Sequence, residues 1–334
     1  MQDLEVDAKR VCREKEKISI SVPCYNEVGN VREMAQTLTG IMQKLPYEYE
    51  IVFTDNCSKD GTAEILRELA QDDRHIKVLF NNRNYGMDGR SARNTSQYLS
   101  GDAIISIPCD FQEPPELLPQ FIQYWEQGYL VVCGQKTGSK EGWLRYGLRS
   151  FFYKVIKLLS DVPQYEHISG IVLFDRTVMR ECAKADYDID FRFLLADMGY
   201  PVKLIQYEQR ARKSGRSSYN IWRYLTFAIN SMVATSSAPL RMLTVLGVGM
   251  SGISFFIGLA YLISKLLHWN SFQMGTAPIL IGMFFLGSLQ LLFMGILGEY
   301  IGVILRKVTK RPDVILSKKL NVDDMPDSRQ EEYK

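Results

Sequence analysis

The chain has no CxxC pair. Its six cysteines (Cys12, Cys24, Cys57, Cys109, Cys133 and Cys182) are scattered outside the apolar C-terminal third. That spacing points to neither a zinc site nor a disulfide framework and fits reduced thiols. Charge of one sign is also lacking. Lys and Arg total 40 against 38 Asp and Glu, so no global field recommends nucleic acid as a partner. The first turn, Pro-Cys-Tyr-Asn-Glu-Val-Gly at 23–29, lacks a GxGxxG fingerprint, and no Walker GxxxxGK[ST] occurs. The N-terminus, Met-Gln-Asp-Leu-Glu-Val-Asp, is polar and acidic rather than a leader, which leads us to expect the N-terminal domain in the cytosol. What is present is bulk: 334 residues, 46% of them hydrophobic, enough for one large domain or two ordinary ones.

Two long uncharged runs stand near the C-terminal end, at 242–264 and from 277 to 298, the second continuing to 305. At about 1.5 Å per residue the first covers roughly 34 Å, the depth of a bilayer core. They predict two transmembrane helices joined by a short turn. Arg210, Arg212, Lys213, Arg216, Arg223 and Arg241 precede the pair, and Arg306, Lys307, Lys310 and Arg311 follow it. The positive-inside rule then puts both ends in the cytoplasm. Glycines in both runs allow close helix packing, within the hairpin or between subunits. Gln290 and Glu299 are the polar exceptions, and Glu299 lies near enough to the cytoplasmic end to pair with Arg306 or Arg241. Residues 219–240 mix aromatics with Arg223 and suit a helix lying at the interface.

Upstream, short apolar runs at 18–22, 49–54, 76–80, 103–107 and 130–134 alternate with helical patterns at 31–43, 62–71, 91–99 and 115–127. That alternation predicts an α/β fold with a mostly parallel sheet covered on both faces. Polar residues cluster after the strand ends: Tyr25, Asn26 and Glu27; Asp55, Asn56 and Ser58; Asn82, Arg83 and Asn84; Asp110 and Gln112. This is the rim where open α/β sheets bind ligands. Without a glycine-rich phosphate loop, nucleotide phosphates need another counter-charge. A divalent metal, Mg or Mn, on Asp110 is the natural one, since hard cations take oxygen ligands.

Six segments carry a family resemblance: Ser-Val-Pro-Cys-Tyr-Asn-Glu at 21–27, Thr-Asp-Asn-Cys-Ser-Lys-Asp-Gly-Thr at 54–62, Asp-Phe-Gln-Glu-Pro-Pro-Glu at 110–116, Ser-Gly-Ile-Val-Leu-Phe-Asp-Arg at 169–176, Arg-Lys-Ser-Gly-Arg-Ser-Ser-Tyr at 212–219, and Gln-Leu-Leu-Phe-Met-Gly-Ile-Leu-Gly-Glu-Tyr-Ile-Gly at 290–302. Together they resemble the family 2 glycosyltransferases of GT-A fold, most closely the membrane-bound polyprenyl-phosphate group (GtrB-like and dolichol-phosphate mannosyltransferase-like). The resemblance implies a domain plan: an extension at 1–17, a transferase domain at 18–218, an interfacial region at 219–240, two membrane helices within 241–305, and a charged cytosolic tail at 306–334.

By that resemblance Pro23, Tyr25, Asn26, Glu27 and Asp55 hold the nucleotide, with Lys136 near the donor phosphates. Asp110 and Gln112 hold metal and diphosphate. Arg210, Arg212, Ser217, Ser218 and Tyr219 receive the acceptor phosphate, and Asp110 and Arg212 carry the catalytic burden. Three departures stand out: Pro108 where the family has the first Asp of its Asp-x-Asp motif, Asn56 for a frequent Asp, and Val172 for an Arg. Asp88 and Arg90 sit near enough in the rim to help bind the nucleotide-sugar in place of the lost charge, or they simply mark a helix N-terminus, where an acid suits the dipole.

The implied reaction moves a sugar from a nucleotide-diphosphate sugar to a polyprenyl (undecaprenyl-type) phosphate for cell-envelope glycans, with inversion. A phosphate acceptor is already an anion and needs positioning more than a base, which fits the absence of an obvious base motif. The basic cluster before the first span serves the acceptor or only sets topology. A transferase acting on a glycan hydroxyl is the alternative, though the Gln-x-x-Arg-Trp of processive synthases is missing. A catalytically impaired scaffold is the third, suggested by Pro108. The resemblance also implies a homo-oligomer, a tetramer among relatives.

Overall fold

The structure, a computed structural model, describes residues 16–86, 90–137, 168–184, 198–210, 245–250, 276–308 and 314–322, with isolated positions between 252 and 267. It divides into two compact units. The first contains most of the chain up to Tyr219 together with Pro312–Lys334, and the second contains Asn220–Arg311 and Lys154–Asp161.

In the first unit the elements run β1 (Lys17–Cys24), α1 (Val31–Met42), β2 (Glu48–Asp55), α2 (Thr62–Asp72), β3 (Ile76–Asn81), α3 (Arg90–Ser96) and β4 (Ala103–Ser106). A 3-10 turn (Pro115–Leu117), α4 (Leu118–Glu126), β5 (Val131–Lys136), β6 (Ile168–Asp175), α5 (Arg176–Lys184), β7 (Val202–Tyr207) and, after the second unit, β8 (Leu316–Leu320) complete it. The eight strands form one sheet ordered β7-β5-β6-β4-β1-β2-β3-β8. β1–β2, β1–β4, β2–β3 and β5–β7 pair in parallel, while β3–β8, β4–β6 and β5–β6 are antiparallel. The mostly parallel α/β fold read from the sequence is therefore present. β6, β7 and β8 are additions that the run-by-run reading did not contain.

Strand side chains alternate between two cores. Ile51, Phe53, Val78 and Ile105 join one cluster with residues of α1, α2 and α4. Val52, Leu79 and Ile104 join another with Val178, Met179 and Cys182 of α5. This period of two, with both faces covered, explains why the strands read as near-continuous apolar runs. Each fully buried Ile, Leu or Phe contributes roughly 1.5–3 kcal/mol of transfer free energy. α1 and α2 each bury one face, Val31, Met34, Ala35, Leu38 and Met42 in α1, and Leu66, Leu69 and Ala70 in α2.

At the amino ends of the strands Glu50 is buried and fully engaged. Ser19 Oγ (2.5 Å) and the Ser100 backbone N–H (2.6 Å) donate to its Oε1, and Lys17 Nζ and Lys77 Nζ each lie 2.9 Å from Oε2. Burial alone would raise this carboxyl. The hydrogen bonds from Ser19, Ser100, Lys77 and Lys17 outweigh it and hold the pKa at about 2. Nearby, Gly101 is forced by close approach: a Cβ there would sit 2.5 Å from the Ser19 backbone nitrogen. Arg176 closes the same corner, its Nε donating to the Gly101 carbonyl (2.8 Å) and its Nη2 to the Leu99 carbonyl (2.7 Å). Trp125, wholly buried, donates its indole N–H to Asp175 (2.9 Å). The Phe-Asp-Arg end of the 169–176 motif is thus structural.

In the second unit, α6 (Thr276–Val308) is a helix of 33 residues. Its described side chains include Met283, Leu291, Met294 and Ile301, all more than 60% exposed. Among the described residues no helix is long and apolar enough to cross a membrane. Side chains of α6 are described for only part of its length. The first expected span is described at a few positions, and residues 219–240 and 1–15 lie outside the described residues.

Glu50 yields a stability prediction. Its folded pKa is depressed, so the stabilisation is complete above about pH 4.5 and is lost as pH falls toward 2. Glu50→Gln, which leaves two lysines unpaired, should cost on the order of 3 kcal/mol near neutral pH. Denaturant unfolding should show the variant's stability changing less than wild type between those pH values.

Candidate active site

The carboxyl ends of the central strands carry two loop clusters. The first is built by the turns after β1 and β2, which lace into each other. Asn26 N–H donates to Ser58 Oγ (2.8 Å), Lys59 N–H to Asn26 Oδ1 (2.9 Å), Glu27 N–H to Thr62 Oγ1 (2.9 Å) and Val28 N–H to Asp60 Oδ2 (3.1 Å). Asp60 also caps the start of α2, accepting from Thr62 N–H (3.1 Å) and Thr62 Oγ1 (2.6 Å). Burial opposes its ionisation, but these hydrogen bonds from Thr62 and Val28 win and lower its pKa. The Glu27 carboxylate accepts from the Asn30 amide (2.6 Å). Tyr25, 39% exposed, and Pro23 face solvent at this rim.

Asp55, the last residue of β2, is buried and takes the Ser58 N–H at 3.3 Å on both oxygens. Desolvation raises its pKa against the opposing Ser58 hydrogen bonds. Asn56 follows as a hub. Its Oδ1 accepts from Asn81 Nδ2 (3.1 Å) and Tyr85 N–H (3.0 Å), and its Nδ2 donates to Asn84 Oδ1 (3.0 Å) and the Gly86 carbonyl (3.3 Å). An uncharged amide suits this place because it donates and accepts together, which an aspartate cannot do.

The second cluster follows β4. Asp110 is buried, and its Oδ1 accepts the Gln112 N–H (3.2 Å). The Gln112 carbonyl in turn accepts the Arg210 N–H (3.1 Å), and Arg210 Nη1 lies 3.1 Å from Glu116 Oε1. β5 and β7 bring Lys136 and Tyr207 to the same spot. Lys136 Nζ lies 3.5 Å from Glu113 Oε1, and Tyr207 OH donates to that oxygen (3.2 Å). Glu113 is buried, and desolvation raises its pKa. Lys136 lowers it, Asp110 raises it further, and the hydrogen bonds from Tyr207 and Lys136 lower it. The structure thus gathers Asp110, Gln112, Lys136 and Arg210 of the expected set. It adds Glu113 and Tyr207, which the sequence reading left without a role. An acid inside Gln-Glu-Pro-Pro was the available signal for Glu113; nothing local marked Tyr207.

Asn26, Cys57 and Phe111 adopt φ of 56°, 64° and 56°, one on each of the turns after β1, β2 and β4. Non-glycine residues held in this region are strained, and such strain persists where the surroundings over-determine it. Pro108 packs beside β6: a Cβ on Gly170 would meet Pro108 Cγ at 2.8 Å. A ring in place of an acid leaves the second cluster with Asp110 as its strand-end carboxylate. Val172 is buried in the second core, opposite Ser106 and Cys133, where a charge would be stranded. Arg90 begins α3 beside Tyr85. Asp88, Arg212, Lys213, Arg216, Ser217, Ser218 and Tyr219 lie outside the described residues.

A mostly parallel sheet that gathers acids on one rim and carries no glycine-rich phosphate loop has the layout of the GT-A glycosyltransferases, and the comparisons agree with that class. The chain belongs to glycosyl transferase family 2, whose profile matches residues 19–184. It is 31% identical over 304 residues to the SfII prophage-derived bactoprenol glucosyl transferase of Shigella flexneri, covering 90% of this chain and 98% of that one. An uncharacterized glycosyltransferase of Synechocystis sp. is 28% identical over 312 residues, 93% of this chain and 98% of that one. Among solved structures, a mannosyltransferase of Pyrobaculum calidifontis in complex with GDP-Man and Mn2+ aligns over 90% of this chain and 89% of its own. Its TM-score is 0.46 at 14% identity.

The interlaced first cluster is testable. Asn26→Val puts a β-branched residue at positive φ and removes the acceptor of the Lys59 N–H. It should weaken nucleotide affinity at least about fivefold, while Asn26→Gly, which keeps the backbone free, should lose less. Calorimetric titration with uridine and guanosine diphosphates measures both.

Proposed function

We propose that the protein transfers a sugar from a nucleotide-diphosphate sugar to a polyprenyl phosphate at the cytosolic face of a membrane. The observation that carries this reading is the near-full-length match to a protein named bactoprenol glucosyl transferase. The geometry supports it. The Asp55 side offers buried acceptors for the hydroxyl and N–H groups of a nucleoside, with Tyr25 available for stacking. The Asp110 side offers oxygen donors beside two cations, Lys136 and Arg210, as a diphosphate requires.

Asp110 and Gln112 are hard oxygen donors and fit a divalent cation such as Mg or Mn. Among the described residues no group of three or more His, Cys, Asp or Glu is gathered, so such an ion would depend on the donor phosphates for further ligands. Held by Asp110 and Gln112, such an ion would supply positive charge to stabilise a departing nucleotide diphosphate. Lys136 adds positive charge on the same side, held in place by Glu113. Arg210 leads in sequence to Arg212, Lys213 and Arg216, which on this reading receive the acceptor phosphate with Ser217, Ser218 and Tyr219. The acceptor oxygen carries its own negative charge, so positioning replaces proton abstraction. A single displacement inverts the anomeric centre.

The membrane part of the proposal rests on the uncharged run at 242–264 and on α6. In the sequence, the uncharged run at 277–298, which falls within α6, covers roughly 33 Å at about 1.5 Å per residue, the depth of a bilayer core. Exposed leucines and methionines along it are costly in water and neutral in lipid. Glycines along both runs suit packing into a homo-oligomer.

Full-length protein incubated with labelled UDP- or GDP-sugars and undecaprenyl phosphate should give lipid-linked sugar. Product on soluble glycan alone, or none, sinks the proposal. Asp110→Asn should abolish transfer without lowering the melting temperature, and chelation of divalent ions should do the same. Full activity in either case removes the metal assignment. Arg212→Ala should slow transfer at least tenfold, about 1.4 kcal/mol.

A further inference from the structure

β8 was not expected, and its position is informative. It pairs antiparallel with β3, setting Phe80 opposite Lys318 and Asn81 opposite Leu316, with a register shift between Phe80 and Asn81. Asn321, at φ 57°, fixes the far end, its amide donating to the Ala70 (2.5 Å) and Ile76 (2.9 Å) carbonyls. The near end grips the loop that leaves β3. Asn82 N–H donates to the Ile315 carbonyl (3.0 Å), and Ile315 N–H donates to Tyr85 Oη (3.0 Å). Tyr85 OH donates to Asn82 Oδ1 (2.7 Å), closing the ring of contacts.

Tyr85 is 6% exposed. Its ring carries two guanidiniums, Arg83 at 4.1 Å and Arg90 at 5.6 Å from the centroid. Its backbone N–H reaches Asn56 Oδ1, and Asn56 N–H donates to the Cys24 carbonyl (2.9 Å) at the end of β1. One residue therefore joins the C-terminal strand and Arg90 through its side chain and the hub beside Asp55 through its backbone N–H.

We propose that Tyr85 is a positioning residue through which strand β8 holds the donor side of the site in its binding conformation. The strand follows α6 in sequence. The segment that leaves the apolar helix thus returns to set the nucleotide loop. This inference rests on the donor reading above and adds a determinant that the rim acids alone do not contain. The physical reason lies in the Asn82–Gly86 turn. Its polar groups need partners to keep one geometry; Asn56 supplies three of these bonds and Ile315 two. A tyrosine hydroxyl that accepts from one backbone and donates to another side chain fixes both, while the ring face orders the arginines.

The test uses the full chain in detergent, with Tyr85→Phe, Tyr85→Leu and, as a control on the same strand, Ser317→Ala, which loses only the bond to the Phe80 carbonyl (3.1 Å). Binding of uridine and guanosine diphosphates is read by calorimetry, with donor KM, kcat and melting temperature alongside. Tyr85→Phe should weaken nucleotide binding about fivefold and Tyr85→Leu about thirtyfold. kcat at saturating donor should stay within about twofold of wild type, and Ser317→Ala should bind normally. Folded Tyr85→Phe protein that binds nucleotide like wild type overturns the proposal. So does a loss that all three variants share in proportion to melting temperature. Tyr85→Phe keeps the ring and decides the matter if Tyr85→Leu does not fold. Wild type that binds nucleotide but makes no lipid-linked sugar rejects the acceptor reading and leaves this test intact; wild type that binds no nucleotide rejects both.

Discussion

Strand β1 is hydrogen-bonded on both sides by parallel neighbours, β2 and β4, and the site depends on that constraint. α1 and α2, which follow β1 and β2, pack on one core. Val52, Thr54 and Leu79 point to the other, where Thr54 Oγ1 meets Thr95 of α3 at 2.9 Å. The chain thus changes sides of the sheet between β3 and β4. The connections leaving β1 and β4 both pack on the first core but run toward opposite edges of the sheet, to β2 and to β5, and open α/β sheets bind ligands at the carboxyl ends where connections part in this way. Tyr25 follows β1 directly, and Asp110 lies four residues beyond the end of β4.

The two ends of the sheet treat buried acids in opposite ways. At the amino ends Glu50 is surrounded by donors and held ionised at about pKa 2. At the carboxyl ends desolvation dominates Asp55 and Glu113, and both are raised. A satisfied buried charge is part of the scaffold. Buried carboxylates with less compensation keep capacity for a ligand, and perturbed groups of this kind gather at functional sites. The backbone strain at Asn26, Cys57 and Phe111 lies at the same rim.

Much of this was legible in the linear chain. The apolar runs at 18–22, 49–54, 76–80 and 103–107 became strands because both faces are covered, so burial outweighs alternation. Asp55 and Asp110 were readable as site residues since each ends or follows such a run. The basic residue at 210 was readable as a cation but not as a neighbour of Gln112, because the backbone bond that joins them spans 98 positions of sequence. Glu113 looked like one acid in a polar turn until β5 and β7 delivered Lys136 and Tyr207. The Leu-Ser-Lys-Lys-Leu segment of β8 looked like part of a charged tail, since an edge strand with an exposed lysine pair carries little hydrophobic signal.

Composition and local pattern determined the α/β class, the mostly parallel sheet, the polar rim, the acid–amide pair at 110 and 112, and the apolar C-terminal runs. Each of these depends on residues within one turn or strand of each other. Tertiary structure alone decided that two antiparallel strands, β6 and β8, enter the sheet at separate places, and that Pro108 packs against Gly170. It alone decided that the Arg176 motif is a brace and that Tyr85 ties the last strand to the loop after β3. Those outcomes rest on contacts between segments far apart in the chain. Local propensity cannot specify them, because their free energy exists only once the sheet has brought both partners together.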